Sequence, residues 1–237
     1  MRRAAAHAVL AVALLASAPA AAAQESPIEG IWEPDPSRSE RFPAEPPFTP
    51  AGKRIVDEWR ASHDPIEDDP GKFCQAPGMP SLALGGASYP VEIIATPKQV
   101  TILMELHQQV RRVHLDQAEH PARLFPQRNG HSIGRWDGET LVVETTNFTD
   151  RTNVGQARHS DQLKVTERYT RVNDDTLVLR LTVEDPETWT APWTLELPLQ
   201  RDDGYGMFEY ACHEGNLAMF NILSGHRADE RAAASPR

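Results

Sequence analysis

The stretch Leu163-Lys164-Val165-Thr166-Glu167-Arg168-Tyr169-Thr170-Arg171-Val172, the turn Asn173-Asp174-Asp175 and the return Thr176-Leu177-Val178-Leu179-Arg180-Leu181-Thr182-Val183-Glu184 decide how this chain folds. Both arms alternate with period two, as a strand does when one face is buried and the other wet. Leu177, Leu179, Leu181 and Val183 share one face. On the first arm the apolar register begins at Leu163 and Val165 and continues through Glu167, Tyr169 and Arg171, leaving Lys164, Thr166, Arg168 and Thr170 on the wet side. A short polar turn between alternating strands makes a hairpin. Glu167 and Tyr169 are therefore expected to point the same way as leucines, which is the sharpest anomaly in the sequence.

The same period extends both ways from Tyr89 onward. Val91–Ile94, Val100–Leu106 and Val110–Leu115 read as short strands, and Gly130–Trp136 and Glu139–Phe148 flank Asp137-Gly138, a strong hairpin signal. Trp193–Leu199 and Met207–Cys212 close a set of eight or nine strands. Turns this short imply antiparallel neighbours, because a parallel crossover needs about a dozen residues or more. A sheet of that size curls, splits or closes. The expected fold is mainly β: a single antiparallel up-and-down barrel or strongly curled sheet, lipocalin-like, spanning 89–224.

Residues 27–90 hold 12 of the 20 prolines, so 24–88 reads as a wrap packed outside the barrel and not as regular sheet or long helix. One short helix is expected there, with Thr49 as N-cap, Pro50 at the first helical position, and Ile55, Val56 and Trp59 at helical spacing. Phe42, Phe48 and Phe73 are its expected anchors. A disordered tail is expected over 225–237.

Met1-Arg2-Arg3, an Ala/Leu/Val run to Leu15 and Ala-rich small residues to Ala23 have the layout of an export signal over 1–23. The Ala-rich style suggests a bacterial periplasm or secretion by the general route. Export makes Cys74 and Cys212, the only two cysteines, candidates for a disulfide; two buried thiols or a pair of metal ligands are the alternatives. The net charge is −10, and −12 without Arg2 and Arg3; an acidic chain with no basic run is a poor partner for nucleic acid or an anionic membrane.

Chemistry is carried by few residues. A carboxylate on an apolar face is costly unless paired, so Glu167 is either a general acid/base with Tyr169 as neighbouring donor, or the partner of an inward arginine such as Arg112, Arg135 or Arg171, or a wetted group at the barrel mouth. His131 and Arg135 share one strand face, and Arg112 and His114 another; imidazole beside guanidinium suits a ligand carboxylate or enolate. His159-Ser160-Asp161 offers a base oriented by a carboxylate, or simply a turn cap. Gly130-His131-Ser132-Ile133-Gly134 spells G-x-S-x-G, but a strand follows where a nucleophile elbow needs a helix; Asp161 and His213 complete a triad only on paper. The histidines are scattered, with no metal-binding spacing, and no phosphate loop or dinucleotide fingerprint is present. No cofactor is expected.

These residues resemble a large family of secreted, mostly uncharacterised proteins of acidobacteria and proteobacteria. The likeness rests on Cys74 with Pro77-Gly78-Met79-Pro80, on Tyr89–Ile93, on Arg111-Arg112-Val113-His114, and above all on Gly130–Thr146. It continues through His159-Ser160-Asp161 and Val165–Tyr169, so it covers about 28–220, and departs at Ser81, where Arg is expected after Gly-Met-Pro. The resemblance implies no activity, but it directs attention to Arg112, His114, His131, Arg135, Glu144, His159, Asp161, Glu167 and Tyr169. The expected partner is a small-molecule ligand, with no membrane span once the leader is removed. The leading expectation is a periplasmic barrel binding a small, partly apolar molecule. The alternatives are a cofactor-independent lyase, isomerase or hydratase using Glu167, His131 and Tyr169, and a structural envelope protein with a filled barrel.

Overall fold

Period-two patterning becomes nine strands in the computed structural model, which describes residues 26–41, 43, 46–64, 67–68, 70–85, 89–155, 157–212 and 218–234. The expected leader, Phe42 and His213 lie outside the described residues. The strands are β1 (Gly30–Pro34), β2 (Val91–Ala95), β3 (Gln99–Met104), β4 (Gln109–His114), β5 (His131–Asp137), β6 (Thr140–Thr146), β7 (Lys164–Asn173), β8 (Thr176–Glu184) and β9 (Trp193–Arg201). They pair in chain order, and β1 returns to pair with β9, so the barrel is closed and mainly β as expected.

Register places the alternating faces where the pattern puts them. Val143, Glu167, Leu181 and Leu195 form one lateral row across β6–β9. Leu177, Leu179, Leu181 and Val183 are buried, as are Leu195, Leu197 and Leu199. Lys164 pairs with Glu184 at 2.9 Å, and Arg180 with Glu196, on the opposite, half-exposed face. A membrane-spanning barrel has the reverse arrangement, with apolar residues outside. Among the described residues, no helix is long and apolar enough to cross a membrane.

Four features differ from the sequence-based expectation. β1 arises inside the proline-rich stretch: its only proline, Pro34, is the last residue, where a missing N–H is tolerated. Trp32 is fully buried there and donates its indole N–H to the Ile28 carbonyl at 2.9 Å. The β4–β5 pair is parallel, not antiparallel, joined by residues 115–130, and only Val113–Ser132 and His114–Ile133 are in register. Met207–Cys212 forms no strand, because β1 already occupies the free edge of β9. The expected tail is helical: α3 covers Ala218–Ala234, an Ala-rich run with His226 and Glu230 one turn apart at 3.5 Å.

The wrap carries the expected helix α1 (Pro50–Ser62), capped by the Thr49 side chain accepting from Gly52 N at 2.9 Å, and a short α2 (Ser81–Gly85). Val56 is buried but Ile55 is exposed; Trp59 stacks on His63 at 4.3 Å. Phe48 anchors the wrap against Trp189, their rings 6.4 Å apart, whereas Phe73 is exposed and anchors nothing. Cys74 and Cys212 are disulfide-bonded, with Cα atoms 5.8 Å apart, so the wrap is tied to the segment that follows β9.

Candidate functional site

Glu167 is fully buried in the barrel, and its partner is Arg111 on β4, itself 2% exposed. The guanidinium is bidentate: Nη1 donates to Oε1 at 2.9 Å and Nη2 to Oε2 at 2.5 Å. Tyr169 donates its hydroxyl to Oε1 at 2.8 Å. Arg111 Nη2 also reaches Ser132 Oγ at 3.3 Å and Thr145 Oγ1 at 3.4 Å, and those two hydroxyls bond each other at 2.8 Å. Burial opposes the charged guanidinium, but the adjoining Glu167 carboxylate outweighs it and holds Arg111 above its ordinary value. Burial, then the Glu167 charge, pushes the Tyr169 phenol well up, so it stays a neutral donor.

The arginines named from the sequence do not take this part. Arg112 faces out, because Arg111 shares the inward register of buried Val113. Arg135 is exposed, and Arg171 turns to the Pro27, Asn173 and Asp174 backbone oxygens. With both oxygens of Glu167 engaged, the arrangement is a paired buried anion and not a free general base.

An apolar cavity of about 40 Å³ adjoins this network; Tyr169, Ile102, Met104, Leu179 and Leu197 line it, and Leu82 of α2 covers it. Such a volume holds a few waters or the end of one apolar group, since a single water needs about 10–15 Å³. Ser81 holds α2 in place: its hydroxyl donates to Asn153 O at 2.6 Å and accepts from Gly155 N at 3.1 Å.

His131 sits outside the barrel wall. Its ring stacks on His114, centroids 5.1 Å apart, and its Nδ1 lies 2.8 Å from His120 Nδ1. His120 Nε2 in turn lies 3.5 Å from Glu144 Oε1. Desolvation first, then His120 and His114, holds the His131 imidazole below its ordinary value. Glu167 and Tyr169 on one side of the wall and His131 on the other do not form a single site. His159 is half-buried, with Nδ1 2.7 Å from the Ser160 carbonyl and Nε2 2.9 Å from Thr152 Oγ1; burial holds it below its ordinary value. Asp161 is exposed and bonds only Gln162 among the described residues, and the Ser160 hydroxyl donates instead to buried Asp185 at 2.7 Å. This loop is built as a turn cap.

Sequence reasoning did not single out Arg111, Thr145 or His120, and read Ser132 only within the G-x-S-x-G spelling. The signal for Arg111 was divided: Val110 and Val113 have opposite parity on β4, and it is Val113, with Leu115 in the same register, that faces the core and carries Arg111 inward. Among the described residues, no group of three or more His, Cys, Asp and Glu side chains is placed to hold a metal ion.

No protein-family model and no curated protein sequence matches this chain. Among solved structures the chain is similar to a REP1-NXSQ fatty acid transporter, at 13% identity and TM-score 0.38, covering 76% of this chain and 100% of that one. It is also similar to a point mutant of the fluorescent protein UnaG, at 14% identity and TM-score 0.37, covering 74% and 96%. A third is a secretary abundant heat soluble (SAHS) protein from Ramazzottius varieornatus, at 12% identity and TM-score 0.32, covering 76% and 98%. The barrel itself rests on its own strand pairing.

Proposed function

We propose that this is an exported barrel that binds a small, partly apolar molecule in the cavity between Tyr169 and α2. The observation that carries the reading is that cavity: an apolar lining of β3, β8 and β9 side chains ends on one neutral phenol held by a buried ion pair. Apolar walls with a few fixed polar groups are the general makeup of small-ligand sites. At about 40 Å³ the space is well short of a drug-sized ligand, so an occupant of any length enters by displacing Leu82 and Ala83 of α2. Export is supported by the leader pattern over 1–23 and by the disulfide, which needs an oxidising compartment. The likeness to a secreted family of acidobacteria and proteobacteria points the same way.

The test uses the mature chain and the neutral fluorophore N-phenyl-1-naphthylamine. Saturable dye fluorescence, displaced by medium-chain alcohols and lost in Leu179→Trp, is the expected result. No saturable dye signal, together with no small molecule seen by native mass spectrometry of protein from its own host, favours a filled structural barrel and overturns the reading. Export is checked separately: the periplasmic form is expected to begin near Gln24.

A further inference from the structure

The parallel seam leaves a second concavity on the outside of the barrel. Because β4 and β5 come into register only at Val113–Ser132 and His114–Ile133, Val110–Arg112 part from Gly130–His131, while Gln109 and Asn129 stay bonded at the far end. Between them lies a cleft of about 520 Å³, whose lining includes Arg111, Arg112, Arg128, His114, Asn129 and His131. That volume is in the ordinary range for a small-molecule site.

Its charge is the unusual feature. Among the described residues no Asp or Glu lines the cleft, in a chain whose net charge is −10. Arg112 makes no ion pair among the described residues, and Arg128 donates only to neutral oxygens, Ala76 O and Gln75 Oε1, each at 3.1 Å. Neither guanidinium forms an ion pair among the described residues, and Arg128 also borders a neighbouring concavity that Asp150 and Asp161 line. The Arg111 charge is balanced from behind by Glu167, but its Nε is a buried donor with no acceptor among the described residues. Asn129 is held by its amide donating to Gln109 Oε1 at 3.0 Å, so this edge of the cleft is fixed in place.

We propose that this cleft binds a small oxyanion, a carboxylate or phosphate group, through Arg112 and Arg128 with His131 at its edge. Guanidinium forks match such groups geometrically, and their charge-assisted hydrogen bonds are about twice as strong as neutral ones. The cleft is separate from the apolar cavity: Tyr169 lines one, Arg111 lines the other, and Glu167 stands between them. The proposal therefore stands without the lumen reading.

Inorganic phosphate and, in a parallel arm, acetate are titrated into the mature protein at low ionic strength, with chloride as the control ion. Binding is read by calorimetry and by the side-chain Nε–H signals of the arginines. Saturable binding of at least one oxyanion is expected, weakened about tenfold by Arg112→Gln, the worth of one charge-assisted hydrogen bond. The Arg54→Gln variant, on an exposed face of α1, is expected to bind as the parent does. The tighter arm identifies the carboxylate or phosphate class. Binding that does not saturate, that chloride matches, or that Arg112→Gln leaves unchanged overturns the proposal. The Tm and near-ultraviolet spectrum of Arg112→Gln are expected to match the parent's, so a fold defect is told apart from loss of the cleft.

Discussion

Arg111 and Glu167 are the residues on which the interior is most exacting. Glu167 lies within a row of aliphatic side chains and Arg111 at the end of another, beside Ile102 and Ile93, and each is tolerated only because the other is there. Removing one partner of a buried ion pair strands the other, at a cost of about 3–5 kcal/mol. Glu167→Gln is therefore expected to lower urea-denaturation stability by that order, while Arg111→Met combined with Glu167→Leu is expected to recover most of it. A single variant as stable as the parent would show that the pair is not buried in solution. Tyr169→Phe removes one donor to a charged acceptor and is expected to cost about 1.5 kcal/mol on the same assay. Gly52 is exacting for another reason: a Cβ there would stand 2.2 Å from Thr188 O, so α1 lies against the turn before β9 with no room for a methyl group. Gly52→Ala is expected to lower stability by about 1–3 kcal/mol, the usual effect of overpacking.

At the scale of elements, the β4–β5 seam is where pH acts. His131 is flanked by His114 on β4, His120 in the connecting segment and Glu144 on β6, with Arg112 and Arg135 on the same outer face. Its folded-state value is depressed, so the folded protein favours the neutral ring. The unfolded chain then takes up the proton first as pH falls, and stability is lost from about pH 6.5 downward until the folded-state value is passed. Above that range the contribution vanishes. Half-buried His159 acts with the same sign, so the comparison must isolate one ring. His131→Gln is expected to flatten the fall of Tm between about pH 7 and pH 5 relative to the parent. An unchanged Tm profile would mean that His131 titrates as a free surface histidine.

For the whole molecule, two long-range ties matter: one closes the barrel and the other holds the wrap. One is β1, which pairs with both β2 and β9 although it is only 5 residues long. The other is the disulfide, whose cysteines are 138 positions apart. On the chain-entropy account a loop of that size is worth about 5 kcal/mol, almost all of it through the unfolded chain. Cys74→Ala with Cys212→Ala is expected to lower Tm strongly while leaving the near-ultraviolet spectrum of the barrel intact below the transition. A lost spectrum at low temperature would instead mean that the wrap cannot dock without its tie.

The sequence by itself determined most of what is local. Alternation and turn residues placed β2–β9 to within a few positions, the Thr49 side chain capped α1 as its chemistry requires, and the leucine register carried Glu167 and Tyr169 into the interior. These follow from period two, side-chain capping and turn geometry, which act over a few residues. Tertiary structure alone decided which edges meet and which rows align. It recruited Gly30–Pro34 to close the barrel, made the β4–β5 seam parallel, and set Arg111 instead of Arg112 opposite Glu167. It also separated His131 from Glu167 and Tyr169, by placing the barrel wall between them. Adjacent residues on a strand point to opposite faces, so one position of register moves a charge from water to core; the partner it finds there comes from a strand far away in the chain.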